Sequence, residues 1–356
     1  MALRLSKRQS LIAAAVAVVV IAAGAIAAVA SSGGDSTSDS AASSSPPSSA
    51  PAPTPTKTKT STPPEAAPVN PLTGVGAPPK GPVIAVKIDD TGNGRPPVGL
   101  NQADIVYIEQ VEGGLTRMAA IFGTHKPVVE PVRSVRASDS ELLRQYGPII
   151  LVASGGGGQS LPTLDGSGMV GVIHDRNGPG FSLDDSRSMP YNLVSDLAQV
   201  AATVKGGGSK DVGFRWASSD PRAAAGPVAT TINTVVGSTP VGFQWRANLK
   251  RYVRTVGGQV LADAAGGPIS TPNVLVQFST VSPDYSDVDV NGAPSQMTAS
   301  VGSGKVALFR DGHRIDGTWS RASATAATTY KDSRGRPLTL SPGGAYVVLA
   351  ANGSPV

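Results

Sequence analysis

An uncharged run of 20 residues, Leu11 to Ala30, leads into 39 residues that cannot build a core, so folding is confined to Asn70 onward. The run LIAAAVAVVVIAAGAIAAVA is long enough to cross a bilayer core of ~30 Å. Arg4, Lys7 and Arg8 precede it and would stay in the cytoplasm. Residues 1–30 therefore read as a transmembrane signal-anchor that puts the rest of the chain outside. Ala28-Val29-Ala30 also fits a small-x-small cleavage pattern, so the rival reading is a signal peptide cut near Ala30 and a secreted product. The apolar stretch of a signal peptide usually runs only ~7–15 residues, which favours the anchor. Residues 31–69 hold 17 Ser or Thr, 8 Pro and 6 Ala. Such a tract has too little apolar surface to offset the entropy of ordering, and a disordered linker is expected. Stretched as polyproline II it reaches on the order of 120 Å at ~3.1 Å per residue, enough to hold a folded body away from a membrane.

Composition sets further bounds. Charged residues are 15% and aromatics 4% of the chain, against 42 Gly and 30 Pro, so the core must come from Ala, Val, Leu and Ile, with frequent turns. There is no Cys, which excludes disulfides, thiolate metal sites, a Cys nucleophile and lipidation at Cys. The net charge is +5, of which +3 falls on residues 70–356; that is too mild for a nucleic-acid surface.

The folded part begins with a strand at Val83 to Ile88 that ends in Asp89-Asp90. Two strand-like runs follow, Asp104 to Val111 and Thr116 to Phe122, joined by Glu112-Gly113-Gly114 as a hairpin. Ser138 to Tyr146 predicts a short helix, Pro148 to Ala153 a buried strand, and Met189 to Lys205 a helix with Leu193, Leu197 and Val200 on one face. Gly206-Gly207-Gly208-Ser209 is the expected domain boundary. Beyond it lie short strand candidates at Ala229–Val236, Val241–Trp245, Tyr252–Val256, Val274–Thr280, Val306–Arg310, Gly317–Arg321 and Ala345–Ala350. The fold class is α+β: an α/β layered domain over 70–208, then a β-rich sandwich or barrel-like domain over 209–356. An echo of VGFRW (Val212 to Trp216) in VGFQW (Val241 to Trp245) suggests paired strands.

Several runs carry a resemblance. They are Asn70-Pro71-Leu72-Thr73-Gly74, the stretch Asn101 to Arg136 with its VEGGLTR and PVRSVR, DDSRSMPYNL (Asp184 to Leu193), TPNVLVQ (Thr271 to Gln277) and GTWSR (Gly317 to Arg321). Together they resemble the YerB-like family of bacterial cell-envelope proteins, from Asn70 to about Ala350. The resemblance implies an N-terminal and a C-terminal domain, both of unassigned biochemical function, and often a lipoprotein; without Cys this chain departs from that last pattern. It also has Ala153 and Tyr191 where the family often places His, which weakens any His-based chemistry carried over.

The candidate ligand-binding residues are Asp89, Glu109, Glu112, Arg117, Arg133 and Arg136, charged groups clustered at strand ends. Arg presents a rigid fork that matches carboxylate or phosphate, the anions of cell-wall polymers. The same residues can instead pair internally, with Glu130 and Asp139 as further partners. Asp89-Asp90 with Glu109 and Glu112 can also supply the two carboxylates of a glycoside hydrolase. Ser154 to Gly158 follows a strand but completes neither a P-loop nor GxGxxG, and reads as a βα loop. His125, His174 and His313 have no zinc-site spacing. Asp287 to Gly292 matches half of a calcium loop, but its twelfth position is Thr298, and a strand entering an Asn-Gly turn explains the same letters.

The leading reading is a membrane-anchored extracytoplasmic protein with a non-catalytic binding or scaffolding role, its partner a cell-wall polymer or envelope protein. No metal, no cofactor and no nucleic acid is expected. The alternative is a wall glycan or peptide hydrolase that uses the Asp/Glu groups.

Overall fold

The computed structural model describes residues 69–289 and 292–356, which fall in one compact unit. The expected membrane segment and almost all of the linker lie outside the described residues. Among the described residues no helix is long and apolar enough to cross a membrane.

In chain order the strands are β1 (Ile84–Asp89), β2 (Ile105–Gln110), β3 (Thr116–Phe122), β4 (Val128–Val129), β5 (Ile150–Ala153), β6 (Val170–Ile173), β7 (Phe181–Leu183), β8 (Leu193–Asp196), β9 (Thr231–Val236) and β10 (Thr239–Arg246). They continue as β11 (Arg251–Val256), β12 (Gln259–Val260), β13 (Ser270–Thr271), β14 (Asn273–Ser279), β15 (Val281–Val288), β16 (Pro294–Thr298), β17 (Gly302–Arg310), β18 (His313–Arg321), β19 (Thr329–Asp332) and β20 (Ala345–Ala351). Four short helices accompany them: α1 (Ala137–Leu143), α2 (Ser160–Asp165), α3 (Leu197–Thr203) and α4 (Pro221–Ala225).

Ten of these strands form one mixed sheet in the order β19-β18-β17-β14-β20-β2-β3-β1-β5-β6. The separate β-rich sandwich or barrel expected after Ser209 is therefore not what forms. The C-terminal half contributes five strands to this sheet. The last of them, β20, lies between β14 and β2 and runs parallel to both, with Ile105 opposite Ala345 and Val274 opposite Tyr346. Its first six residues are buried, so it needs cover on both faces, and a strand of Val, Leu and Ala suits that place. Gly344 precedes it at φ +97, where a Cβ would lie 2.2 Å from the Asp104 carbonyl oxygen, so only Gly allows this entry.

Alternation along the strands gives the sheet two apolar faces. Ala85, Tyr107, Ala119, Leu151, Leu275 and Val347 pack with Leu142, Leu143 and Tyr146 from the α1 region on one side. Ile84, Val86, Ile108, Met118, Val274 and Val348 pack on the other with Leu197 and Val200 of α3 and with Ile232, Phe243 and Tyr252 of a second sheet, β12-β11-β10-β9 with β13 on β11. The β2–β3 hairpin forms as expected, and its Glu112-Gly113-Gly114 bend is held from outside: Ser238 N and Thr239 Oγ1 both donate to the Gly114 carbonyl.

Three local expectations change. Residues 193–196 are strand, and the helix starts only at Leu197, where the Asp196 carboxylate caps the amides of Ala198 and Gln199. Leu193, Leu197 and Val200 face one core from a strand and a short helix in succession, which imitates a single helical stripe. The VGFRW echo does not pair with VGFQW; Trp216 bridges Leu340 instead. The glycine loop after β5 seats the hairpin β15–β16: a Cβ on Gly158 would lie 2.3 Å from the Ser286 carbonyl oxygen, and Ser160 Oγ donates to the Asp287 carboxylate.

A fragment of residues 69–208 would lose β20 and leave the β2 edge unpaired. It is expected to aggregate and to show no cooperative unfolding by circular dichroism. A monomeric fragment that melts cooperatively would show that the N-terminal half does not depend on the shared sheet.

Candidate functional site

The C-terminal ends of β1 and β2 and the start of β3 carry Lys87, Asp89, Glu109 and Arg117 on the α1 side of the sheet. Strand register puts Arg117 opposite both Asp89 and Glu109. Neither carboxylate pairs with it within salt-bridge distance.

Glu109 is 0% exposed and belongs to a buried cluster. Lys87, also 0% exposed, donates to Glu109 Oε1 and, at 2.7 Å, to Asp139 Oδ1. Ser138 Oγ donates to Glu109 Oε2 at 3.0 Å. The other Asp139 oxygen accepts from the Arg136 amide at 2.7 Å, which fixes the start of α1. Burial and then the neighbouring Glu109 charge push Asp139 up to about 7. Burial also acts to raise Glu109, but the Lys87 charge outweighs it and holds that carboxylate down. Glu109 thus lies beneath the candidate site, where no ligand reaches it, and it binds a lysine that sequence reasoning left inside an apolar strand. The signal was there: Ala85, Lys87 and Asp89 share one face of β1, and a cation at such a position demands a partner.

The other candidates do converge. Arg136 holds Glu112 through both carboxylate oxygens, Nε to Oε1 and Nη2 to Oε2 at 2.7 Å. Burial acts to raise Glu112, but the bonds and charge of Arg136 prevail and hold it at about 2. Arg133 Nε lies 3.2 Å from Asp89 Oδ2, whose partner oxygen caps Thr91 N at 2.7 Å. Arg117 is the exception. Its Nη1 donates to the Ser134 carbonyl at 3.2 Å, and Arg136 Nη1 donates to the same oxygen at 3.4 Å. Burial, then the charges of Arg136 and Arg133, push Arg117 down to about 10. Three guanidinium groups thus crowd round one loop, and among the described residues Arg117 has no carboxylate within salt-bridge distance.

Arg133 also points outward. Its guanidinium carbon sits 5.1 Å from the centre of the Tyr191 ring, and its Nη1 donates to the Pro190 carbonyl. Tyr191 lines a groove of about 550 Å³ with Asn93, Arg95, Arg187 and Met189. Arg187 is set by the carbonyls of Gly94 and Pro96 and lies 3.4 Å from Glu130, while the shielded Nε of Arg95 has no hydrogen-bond partner among the described residues. This groove was missed at sequence level, although the run Asp184 to Leu193 builds one wall of it. A second buried pair backs the site: Arg254, 0% exposed, reaches Asp90 from the smaller sheet at 2.9 and 2.8 Å, and Thr116 Oγ1 donates to the same carboxylate.

In the half calcium loop, Asp287 belongs to β15. The Asp287 carboxylate takes the Ser160 hydroxyl and Asp289 Oδ1 accepts from Ala293 N, while residues 290 and 291 lie outside the described residues. His125, His174 and His313 stand apart, with His174 beside Asp175 at 3.3 Å and His313 against the Gly226 carbonyl at 3.1 Å.

Removing Lys87 leaves two carboxylates buried together, and breaking a buried pair costs ~3–5 kcal/mol. Lys87→Met is expected to lower stability by about that much in urea unfolding; a loss below ~1 kcal/mol would show that the cluster is not what holds α1. The pH dependence follows from the two shifted carboxylates. Glu112 is depressed from 4.5, so its contribution is present above that value and is lost as pH falls towards 2. Asp139 is raised from 3.8, so stability falls on its account as pH rises from there towards 7. Glu112→Gln should flatten the acid limb of a melting-temperature profile and Asp139→Asn the limb above it; unchanged limbs would contradict these assignments.

Two family profiles match the chain: the N-terminal domain of the proteins of unknown function DUF3048 over residues 72–210, and the C-terminal domain of the same family over residues 230–347. Among curated relatives, "Putative lipoprotein YerB" of Bacillus subtilis (strain 168) is 26% identical over 274 residues, which span 74% of this chain and 80% of that protein. The crystal structure of YerB from Bacillus subtilis superposes with a TM-score of 0.65 at 21% identity, covering 79% of this chain and 96% of the other. The first profile ends at residue 210, just past the Gly206–Ser209 stretch, and the second begins at residue 230, even though one sheet takes strands from both. The chain belongs to the DUF3048 family, the two-domain family that includes YerB.

Proposed function

We propose that this protein is an extracytoplasmic component of the cell envelope that binds an anionic wall polymer through Arg117 and the arginines around it. The observation that carries this reading is Arg117 itself, a half-buried guanidinium flanked by two others and satisfied, among the described residues, only by a carbonyl. A carboxylate or phosphodiester there gains a charge-assisted bond and relieves the repulsion among the three cations. The adjoining groove, with Arg133 stacked on Tyr191 and with Arg95 and Arg187 on its walls, extends the cationic surface along a chain-like ligand.

The envelope location draws on the name of the Bacillus subtilis relative, a lipoprotein, and on the basic and apolar start of this chain. Without Cys, the Leu11 to Ala30 run takes the role of the lipid anchor and the Ser/Thr/Pro tract that of the spacer. The hydrolase alternative finds less support. Asp89, Asp90, Glu109 and Glu112 are each engaged by arginine or lysine, and the one carboxyl raised to about 7, Asp139, is 0% exposed.

The test is co-sedimentation of the purified chain with isolated wall material. Loss of a charge-assisted bond costs ~1.5–3 kcal/mol, roughly one to two decades of affinity. Arg117→Gln is expected to weaken binding by that factor with little change in melting temperature, and wild-type binding should fall as salt rises. Undiminished binding by Arg117→Gln would sink the proposal, and release of soluble wall fragments would move the reading to the hydrolase.

A further inference from the structure

We infer that the groove between α1, α2 and the hairpin β15–β16 is a second ligand site, and that it takes the carboxylate of a small molecule bearing a short aliphatic group. The groove has a volume of about 420 Å³, at the small end of ligand sites, which run ~300–1,000 Å³. Ser140 and Arg144 line it from α1 and its last turn, four residues apart and so on one face. Ser140 is 2% exposed, and its hydroxyl makes no hydrogen bond among the described residues. The Arg144 side chain is half-buried; among the described residues its guanidinium has no carboxylate, carbonyl or ring partner, and its Nε is shielded from solvent. Buried polar groups are nearly always paired, so the unpaired Ser140 hydroxyl and Arg144 Nε on one wall point to a ligand that pairs both.

The rest of the wall narrows the chemistry. Glu141 contributes a carboxylate, but its Oε1 already accepts from Ser300 N at 2.8 Å, Ser300 Oγ at 2.9 Å and Val301 N at 3.2 Å. Those three donors absorb much of its charge, yet enough remains to disfavour a doubly charged phosphate. A single carboxylate meets the Arg144 fork bidentately and accepts a further bond from Ser140. Ala137, Met297 and Ala324 add a small apolar patch beside Thr163 and Ser167, with Met297 able to adapt to a methyl or short chain. Because Met297 and Ala324 come from the C-terminal half and Ser140 and Arg144 from the N-terminal half, the site exists only where the two halves meet. It does not rest on the Arg117 reading.

Saturation-transfer difference NMR of N-acetyl-alanine with the intact chain tests the assignment. Transfer to the alanine methyl is expected for the wild type, for Arg117→Gln and at moderate salt. It should fall about tenfold or more in Arg144→Gln, the loss of one charge-assisted bond, and several-fold in Ser140→Ala. Should Arg144→Gln prove unstable, Arg144→Lys keeps the charge without the fork and is expected to bind several-fold more weakly. No transfer in the wild type, equal transfer in the folded Arg144 variants, or displacement by inorganic phosphate at the same concentration as by acetate would each overturn the proposal.

Discussion

Lys87 is buried on an interior strand of the large sheet between two carboxylates, and the placement of the candidate site depends on it. An ammonium group cannot stay charged at zero exposure without close partners. Glu109 reaches it from the neighbouring hairpin and Asp139 from the first turn of α1. Asp139 also holds the Arg136 amide, and Ser138 holds Glu109. The cluster thus clamps the start of the helix onto the strand ends, and the loop of residues 133–136 is drawn tight across them. Arg117 and Arg136 then have little choice but to share the Ser134 carbonyl. A cationic site on such a support is preorganised; it need not spend binding energy on ordering its own side chains.

The second constraint is global. β20 enters the sheet between β14 and β2, so the two sequence halves, each matched by its own family profile, share a core. The Arg254–Asp90 pair adds a buried charge link from the smaller sheet to the end of β1. The N-terminal half supplies the residues of the candidate site and the C-terminal half supplies the cover that keeps them in place. Long-range parallel pairing of this kind requires the last strand before the sheet is complete.

Local features were largely readable from the residues. Alternation located β1, β2, β3 and most of the C-terminal strands, and the strand-end charges pointed to Arg117, Arg133 and Arg136. Pairings across long separations were not, because they leave no local trace: nothing in AYVVLAA says that it lies between Leu275 and Tyr107, and nothing near Arg254 announces Asp90. Lys87 was passed over because a single cation barely disturbs an apolar run. Leu193, Leu197 and Val200 misled for the opposite reason, since a strand followed by a short capped helix reproduces helical spacing. The glycine loop after β5 looked like a free βα connection; its small residues serve instead the close approach of β15.

The central claim is that Arg117 accepts an external anion. Crystals of the protein grown with selenate test it most directly, since anomalous scattering locates the ion without reference to any assumed wall polymer. A selenate peak within hydrogen-bond distance of the Arg117 guanidinium, beside the Ser134 carbonyl and between Arg133 and Arg136, is the result this account predicts. Selenate confined to exposed arginines elsewhere, with Arg117 still bound only to Ser134, would contradict it.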